Sequence, residues 1–394
     1  VIRYNEDMSK IVIDARWIKQ TGIGRYVENI LVAAAGLNTK HELVLLIRPE
    51  DKASLPKELR KLELIETDAV WYTPQEQIQL PKILDAAKPD LVHFTQFNIP
   101  LQYRKPFVVN IHDLTMLKFK SIRSGFLAPF TYGLKDVVMR HVLKTAINRS
   151  RAIFVLTDYV KQDIKKRYRT DEKKMILTPC ALDEVRAKPI VSLKKFGITK
   201  PYLLHVGNAF PCKNLGRLID AFAKLKADDK SFDHQLIFVG KKDSFHVALE
   251  KKAAKLKLSD SIIFTGFVTD AEMAGLYQNA ALYVLPALSE GFGIPGLEAM
   301  SYGIPVASSN ATCLPEVYDK AAEFFDGKKV DDIAAAIKRV IDSPKRQAEL
   351  KKLGKERLEH FSWQESAQAL LDGYDKALKA QAKPSGLRLP RIGR

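Results

Sequence analysis

The chain has 394 residues, too many for one ordinary hydrophobic core, so two domains are expected. The composition, 46% hydrophobic and 28% charged, is that of a globular protein, with no apolar run long enough to cross a bilayer. A formal net charge of +17 favours anionic partners. Basic and aromatic motifs of the RNA-binding kind are missing, so nucleic acid is not an expected partner.

Three cysteines, Cys180, Cys212 and Cys313, are few, odd in number and widely spaced. This pattern indicates reduced thiols of a cytosolic protein. It favours neither a disulfide framework nor a metal site.

In the first half of the chain, short apolar runs alternate with helical patterns. Residues 11–14 predict a strand, and the glycine turn at 21–26 opens a helix without the third glycine of a dinucleotide fingerprint. Further strands are predicted at 43–47, 62–65, 91–94, 107–111 and 152–156, and helices at 77–87, 130–149 and 158–167, the last capped by Thr157. The alternation predicts a parallel sheet covered on both faces.

The pattern breaks at residues 183–200, a stretch without periodicity that is expected to be the interdomain linker, and then it restarts. The second half predicts strands at 202–206, 236–239, 262–264, 282–285 and 305–307, and helices at 214–225, 330–342, 344–360 and 363–380. We therefore expect an α/β protein with two doubly wound, Rossmann-like domains, residues 1–188 and 189–364, facing a cleft. Residues 381–394 are expected to form a mobile tail.

The stretch 289–298 carries the strongest functional signal. Glu290 and Glu298 flank a glycine bend that follows an apolar strand. Pro295 suits the first helical position, which would put Glu298 in the first turn, beside N–H groups that can bind a phosphate. A phosphate between two carboxylates that hold hydroxyls describes a nucleotide-sugar. The alternative is a solvated loop acid and an acid that stabilises the helix dipole.

Three other loops follow predicted strands at the same sheet edges. Lys213 opens a helix, where it could meet a diphosphate; otherwise it is a surface lysine. His112 could bond a sugar hydroxyl as a neutral imidazole; otherwise it is structural. Gly22 and Gly24, next to Arg25, allow a ligand to approach the backbone; otherwise they form a tight turn.

The segment 118–169 is basic, with 13 basic and 3 acidic residues and therefore a net charge of +10. Apolar residues such as Phe119, Phe126 and Phe130 are interspersed in its earlier part. Basic and apolar residues together favour a surface for anionic lipid, and the alternative is a solvated helix face over core aromatics.

Together, the stretches 290–300, 303–306, 314–317, 206–215, 111–114 and 22–26 resemble the retaining glycosyltransferases of family 4 (group 1), which have the GT-B fold. The resemblance covers nearly the whole chain after the first ten residues. It implies that Glu290 contacts the donor hexose, that Glu298 holds the ribose and that Lys213 neutralises the diphosphate. His112 would bond the donor sugar near its anomeric carbon. The remaining donor contacts are implied for Gly22, Gly24, Arg25, Gly207, Asn208, Gly266, Val268, Phe292, Gly293 and Ile294.

The sequence departs from the family pattern at two positions of the diphosphate loop. Many members carry arginine where this chain has Cys212, and others carry it where this chain has Asn208. The missing charge would have to come from elsewhere, and Arg25 and Lys241 are the candidates.

The resemblance implies transfer of a hexose, mannose from GDP-mannose, to a glycan or lipid-linked acceptor, with retention and without a metal or other cofactor. It also implies that a helix at residues 365–380 crosses back to the N-terminal domain. The expected location is the cytoplasm or the inner face of the membrane. Two alternatives are a nucleotide-sugar epimerase of the same shape and a non-catalytic sugar-phosphate-binding protein. Nothing in the sequence identifies the acceptor.

Overall fold

The computed structural model describes residues 8–119, 128–182 and 193–380. These residues form two parallel β-sheets with helices packed on both faces of each, which confirms the predicted α/β architecture. The predicted tail at 381–394 and the predicted domain junction at 188–189 lie outside the described residues.

The first sheet has seven strands in the order β3-β2-β1-β4-β5-β6-β7, and every neighbouring pair is parallel. Its strands are β1 (Ser9–Asp14), β2 (His41–Ile47), β3 (Glu63–Glu66), β4 (Leu91–Phe94), β5 (Phe107–Ile111), β6 (Ile153–Val155) and β7 (Met175–Leu177). The helices between them are α1 (Thr21–Gly36), α2 (Pro74–Ala87), α3 (Ala128–Arg149) and α4 (Asp158–Tyr168).

The second sheet has six parallel strands in the order β10-β9-β8-β11-β12-β13. Its strands are β8 (Tyr202–Val206), β9 (Gln235–Val239), β10 (Ile262–Gly266), β11 (Leu282–Leu285), β12 (Val306–Ser309) and β13 (Ala322–Phe325). The helices are α5 (Leu215–Asp228), α6 (Ser244–Lys255), α7 (Asp270–Gln278), α8 (Ile294–Ser301), α9 (Leu314–Tyr318), α10 (Val330–Ile341), α11 (Pro344–Leu358) and α12 (Trp363–Lys379).

The strands are buried on both faces because successive side chains point into different hydrophobic layers. Ile11 and Ile13 join a layer that includes α1 and α12, whereas Val12 joins the layer of α2 and α3. The last helix, α12, lies on the first sheet: the Tyr374 hydroxyl is 2.7 Å from Nδ1 of His93 in β4. The C-terminal end of the described chain thus packs on the N-terminal domain.

Most predicted elements are confirmed to within three residues, and Thr157 caps α4 by accepting a hydrogen bond from Val160 N. The short strands β7 and β13 and the helices α6 and α7 were not predicted from the sequence. Within the described ranges, no helix combines the length and the apolar character needed to span a bilayer.

Candidate functional site

The strand order reverses between β1 and β4 in the first sheet and between β8 and β11 in the second. At such a switch point the connections leave on opposite faces, and a crevice opens outside the carboxyl ends of the strands. The predicted glycine turn follows β1, and the predicted loops at 207–214 and 289–294 follow β8 and β11. The fold therefore carries most of the predicted site residues to its two crevices.

The bend before α8 requires glycine because Tyr318 fills the space beside it. Gly293 has a φ of 98°, a left-handed conformation that other side chains disfavour. A Cβ at Gly293 would lie 2.5 Å from the Tyr318 hydroxyl, and one at Gly296 would overlap it. The hydroxyl donates a 2.5 Å hydrogen bond to Gly293 O, so the bend is packed rigidly.

The helix after this bend starts earlier than predicted. It begins at Ile294, so Pro295 is the second helical residue and Glu298 the fifth. The prediction that Glu298 lies in the first turn is therefore wrong. The left-handed Gly293 turns the chain into the helix before the proline, which is tolerated at either position because neither N–H has a helical partner. Glu298 projects from the second turn.

Glu298 joins the two domains. Its Oε2 accepts a 2.8 Å hydrogen bond from the hydroxyl of Tyr277, a buried residue near the end of α7. Its Oε1 pairs with Nη1 of Arg25, from α1 of the N-terminal domain. The carboxylate is thus positioned by one neutral donor and one cation. Tyr277 was missed in the sequence because α7 was not predicted.

Lys213 and Glu290 form an ion pair, with Nζ 2.6 Å from Oε1. Both side chains are largely shielded, with 21% and 11% of their surface exposed. Burial acts to lower the pKa of Lys213, but the Glu290 carboxylate outweighs it and the pKa is raised. Lys213 is therefore a permanent cation beside the predicted hexose-binding carboxylate.

Backbone contacts fix this pair in place. Leu288 N donates to Cys212 O at 2.7 Å, which ties the bend before Glu290 to the lysine loop. Asn214 has a φ of 60°, and its side-chain amide donates to Pro286 O and Gly327 O at 3.0 and 2.6 Å. The left-handed Asn214 ends the lysine loop and anchors it to the end of β11.

His112 lies at the carboxyl end of β5 and is buried. Its Nε2 donates to Thr95 O at 2.9 Å, and the Tyr26 ring packs against it edge-on, with centroids 5.1 Å apart. Burial lowers its pKa, so the ring is neutral at pH 7. A neutral ring that donates through Nε2 carries a lone pair on Nδ1 and can accept a hydrogen bond there.

The bend that carries Glu290 touches the His112 loop directly. A Cβ at Gly291 would lie 2.8 Å from His112 O, so only glycine permits this approach. Next to it, the hydroxyls of Thr115 and Ser289 are 2.8 Å apart. The predicted sites of the two domains therefore meet at one place.

A second contact between the domains involves Glu316 of α9. Its two carboxylate oxygens accept hydrogen bonds from Asp158 N and Tyr159 N, at 2.6 and 2.8 Å. These N–H groups open α4 and have no helical partner, so the carboxylate caps the helix from the other domain. Glu316 lies in a motif that the family resemblance covers, yet its partner could not be read from the sequence.

Three glycines end neighbouring strands of the second sheet: Gly207 after β8, Gly240 after β9 and Gly266 in β10. A Cβ at Gly240 would overlap Gly207 O, and Gly207 and Gly266 have φ values of 148° and 75°. These positions therefore require or favour glycine, and no side chain extends from the backbone there. Asn208, between them, uses its side chain to accept a hydrogen bond from Phe210 N at 3.2 Å.

Some predicted donor residues can offer only backbone atoms. The Phe292 ring is buried and packs edge-on against Phe361, with centroids 5.4 Å apart. Val268 is also buried, whereas Phe267 beside it is 87% exposed.

Two buried histidines beneath the glycine edge were missed. His205 donates through Nδ1 to Val284 O at 2.9 Å, and burial lowers its pKa to about 4. Nε2 of His205 and Nε2 of His246 are buried without a hydrogen-bond partner among the described residues. Cβ atoms built on Gly207 and Gly240 would lie 3.6 and 3.5 Å from these two nitrogens.

The glycine turn of the N-terminal domain is tight at one position and open at the other. A Cβ at Gly24 would lie 2.6 Å from Ile18 O and 2.7 Å from Trp17 O. No atom lies within 4 Å of a Cβ at Gly22 among the described residues. Gly24 is therefore needed for packing, and Gly22 leaves room beside Arg25.

The fold and the site define a two-domain transferase of the GT-B type, and the comparisons with known proteins agree. Residues 21–186 match the model of Glycosyltransferase Family 4, and residues 192–357 match that of Glycosyl transferases group 1. The chain belongs to this glycosyltransferase family, as its motifs predict. The matches support a glycosyltransferase over the epimerase and the non-catalytic binding protein.

Similar proteins include several mannosyltransferases. The chain is 26% identical to O-antigen chain mannosyltransferase B of Escherichia coli, over 73% of this chain and 74% of that protein. It is 28% identical to the serotype-specific mannosyltransferase WbdA of Escherichia coli, over 59% of this chain but only 29% of that protein.

A GDP-mannose-dependent phosphatidylinositol dimannoside mannosyltransferase of Mycobacterium tuberculosis is 30% identical over 44% of this chain and 43% of its own length. Among solved structures, sucrose-phosphate synthase of Thermosynechococcus elongatus superposes with a TM-score of 0.75 and 20% identity, covering 95% of this chain and all of that one. This likeness shows the fold.

Proposed function

We propose that this glycosyltransferase moves a hexose, mannose from GDP-mannose, to a glycan or lipid-linked acceptor with retention of the anomeric configuration. The observation that carries the proposal is the Lys213–Glu290 pair in direct contact with the His112 loop. The O-antigen mannosyltransferase relative supports the sugar and the acceptor class. The relative that depends on GDP-mannose supports the donor.

Each carboxylate of the site is paired with a cation, and a bound diphosphate could pair with that cation instead. Lys213 is paired with Glu290, and Arg25 with Glu298. On donor binding, the diphosphate would pair with both cations, while hexose and ribose hydroxyls would donate to the two glutamates. Neither carboxylate would then be left buried without a partner, which would be costly. Arg25 would also supply the positive charge that is missing from the diphosphate loop.

In the proposed reaction, the acceptor hydroxyl attacks C1 of the hexose on the face from which the nucleotide leaves. The bond from C1 to the phosphate oxygen breaks, the bond from C1 to the acceptor oxygen forms, and the hydroxyl proton passes to the departing phosphate. Lys213 and the backbone of residues 292–294 would stabilise the charge on that phosphate. His112 would accept a hydrogen bond from a hexose hydroxyl at Nδ1, since Nε2 is committed to Thr95 O. The proposal assigns no metal ion.

The nucleotide base would lie at the glycine edge of the second sheet, against Gly207, Gly266 and Val268. The glycines there place no side chain between the backbone and a ligand. The exposed ring of Phe267 could stack on a purine. Asn208 would contribute through its backbone, since its side chain closes the turn.

We also propose that the protein is cytoplasmic and binds the inner face of the membrane. On α3, the apolar side chains of Leu134, Val137 and Val138 are exposed, close in sequence to Lys135 and Lys144. Apolar and basic groups on one helix suit an anionic lipid surface. The rest of the aromatic-rich part of this segment, residues 120–127, lies outside the described residues.

Co-sedimentation tests the membrane proposal. We expect binding to vesicles of phosphatidylglycerol and phosphatidylcholine and little binding to phosphatidylcholine alone. The double variant Leu134→Asn, Val137→Asn should lose binding, whereas Val247→Asn, at an exposed valine of α6, should not. Equal binding by all variants would contradict the proposal, as would no binding to anionic vesicles.

Calorimetric titration with a panel of GDP- and UDP-sugars tests the donor, and nucleotide release tests turnover. We expect GDP-mannose to bind and Glu290→Gln to reduce transfer by about 100-fold or more, the typical cost of removing one transition-state contact. Glu359→Gln, at an exposed glutamate that follows α11, is the matched control. The proposal is wrong if no nucleotide-sugar binds or if Glu290→Gln is fully active.

A further inference from the structure

Three aromatic side chains cluster at the carboxyl edge of the first sheet, and the donor proposal uses none of them. Trp17 follows β1, and Trp71 and Tyr72 follow β3. The two tryptophan rings are 4.7 Å apart and tilted by 35°, and the Tyr72 ring stands at 70° to Trp17 at 5.8 Å. We call these three residues the aromatic corner.

The aromatic corner packs against other residues of its domain, and it is also partly exposed to solvent. The Arg48 guanidinium lies over the Trp71 ring, 5.1 Å from its centroid. Behind Tyr72 is the buried Phe97 ring, with centroids 6.4 Å apart. Tyr72 itself is 59% exposed, and Trp17 is partly exposed. The Tyr72 ring is therefore exposed to solvent and held in place by its aromatic neighbours.

The backbone at Tyr72 adopts a conformation that aromatic residues avoid. Its φ is 61°, in the left-handed region, which is strained for a residue with a Cβ. Such conformations persist where the surroundings enforce them, and they concentrate at functional positions. Here the enforcing contact is a 2.9 Å hydrogen bond from Tyr72 N to Oε2 of the buried Glu76.

A buried ion network fixes that contact to the sheet. Glu76 Oε1 is 2.7 Å from Nη2 of Arg16, which also binds Asp14 at the end of β1. Arg16 Nη1 donates to Ala69 O at 2.8 Å. All three charged side chains are buried, an arrangement that seldom adds stability over an apolar one but does impose a unique geometry. It ties the loop that carries Tyr72 to the loop between β1 and the glycine turn.

The aromatic corner lies at the same edge of the first sheet as the proposed reaction centre. Trp17 lies in the loop between β1 and the glycine turn, and Gly24 of that turn packs directly on Trp17 O. In the first sheet β1 lies between β3 and β5, two strands from each, and His112 directly follows β5. The corner thus lies on the same sheet edge as His112, on the N-terminal side of the cleft.

We propose that the aromatic corner binds a pyranose ring of the acceptor, stacked on Tyr72 and bordered by Trp17. This inference rests on the proposed function and adds to it a binding subsite and a ligand class. A pyranose has an apolar face of C–H groups and a rim of hydroxyls, which suits one exposed aromatic ring. Exposed polar residues, Lys19 and Gln75, lie close in sequence to Trp17 and Tyr72. A protein partner would need a broader apolar patch. A ring that is already held in place also loses little entropy on binding.

Tryptophan fluorescence provides a direct binding test, because Trp17 and Trp71 are two of the three tryptophans. We expect titration with methyl α-mannoside and with α-mannotriose to change the emission saturably, more strongly for the trisaccharide. Tyr72→Ala should abolish the change, and Tyr72→Phe should preserve it. Ile78→Ala, at a residue that is 58% exposed on the neighbouring α2, is the matched control.

Kinetics with α-mannotriose as acceptor separate this inference from the proposed function. Tyr72→Ala should raise the acceptor KM about tenfold or more, equivalent to about 1.4 kcal/mol, while the KM for GDP-mannose changes less than about twofold. Thermal melting of Tyr72→Phe and Tyr72→Ala checks that both fold. A wild-type acceptor KM in Tyr72→Ala, or no fluorescence change with either sugar, overturns the proposal that the aromatic corner binds the acceptor. Failure of wild-type protein to bind GDP-mannose overturns the proposed function instead.

Discussion

Replacing Gly291 by alanine should separate the two halves of the site. The new Cβ would lie 2.8 Å from His112 O, whereas ordinary contact begins at about 3.4 Å, so a gap of about 0.6 Å must open. Neither side can yield easily. On one side, Glu290 N donates to Thr312 Oγ1 at 3.1 Å, and on the other, the His112 ring is bound to Thr95 O.

Overpacking of this kind costs about 1–3 kcal/mol, which would lower transfer by roughly 5- to 150-fold if the reaction requires the two loops in contact. The backbone φ of Gly291 lies outside the left-handed region, so alanine itself adds no strain there. The assay is nucleotide release at saturating GDP-mannose, with calorimetry to check that the donor still binds. Gly36→Ala is the control, because a Cβ there meets no described atom within 4 Å. Wild-type kcat in Gly291→Ala would refute the requirement for this contact.

Single contacts give four further predictions. Tyr277→Phe removes the neutral donor to Glu298 and should weaken nucleotide binding by about 1–2 kcal/mol, measured by calorimetry with GDP. Lys213→Met should reduce affinity for GDP-mannose more than affinity for free mannose, and equal losses in the same titrations would count against a diphosphate role. Glu316→Gln should loosen the contact between the domains, seen as a larger radius of gyration in X-ray scattering; an unchanged radius would argue against it. His205→Gln should flatten the dependence of stability on pH between about 6.5 and 4, by up to about 1.4 kcal/mol per pH unit in urea melts. The sign follows because the folded pKa of about 4 lies below the unfolded value, so protonation favours the unfolded chain as the pH falls.

Most of the fold was predictable because its strands and helices show clear apolar runs or periodic apolar patterns. The strands at 91–94, 107–111, 202–206 and 282–285 were predicted with the bounds that the structure has, because each is a buried run between clear turn signals. The three-residue β7 is too short to show a period, and β13 is not a continuous buried run, because it contains Glu323 and buries only its first and last residues. The buried residues of α7 are nearly consecutive and include Glu272 and Gly275, so the helix lacks an apolar stripe with helical spacing.

The candidate site was predictable where function depends on a local motif. Glu290, Lys213 and His112 each end up beside another predicted residue, because parallel strands bring their carboxyl ends to one edge. The start of α8 was misjudged by one residue because the left-handed Gly293, and not Pro295, sets it.

Contacts between distant segments were not predictable. Arg16 is fully buried, although arginine is usually exposed, and its partner Glu76 is 60 residues away. Glu316 caps a helix 158 residues earlier in the chain. One sequence contains no signal for such pairs, since each residue alone is typical of a solvated surface.

The most direct test of the central claim is to follow GDP-mannose and methyl α-mannoside by NMR in the presence of the protein. The proposed function predicts that GDP and a new α-linked mannoside appear in equal amounts as GDP-mannose is consumed, and that Glu290→Gln slows both together. A β-linked product, an altered GDP-sugar without release of GDP, or no consumption of GDP-mannose would contradict it.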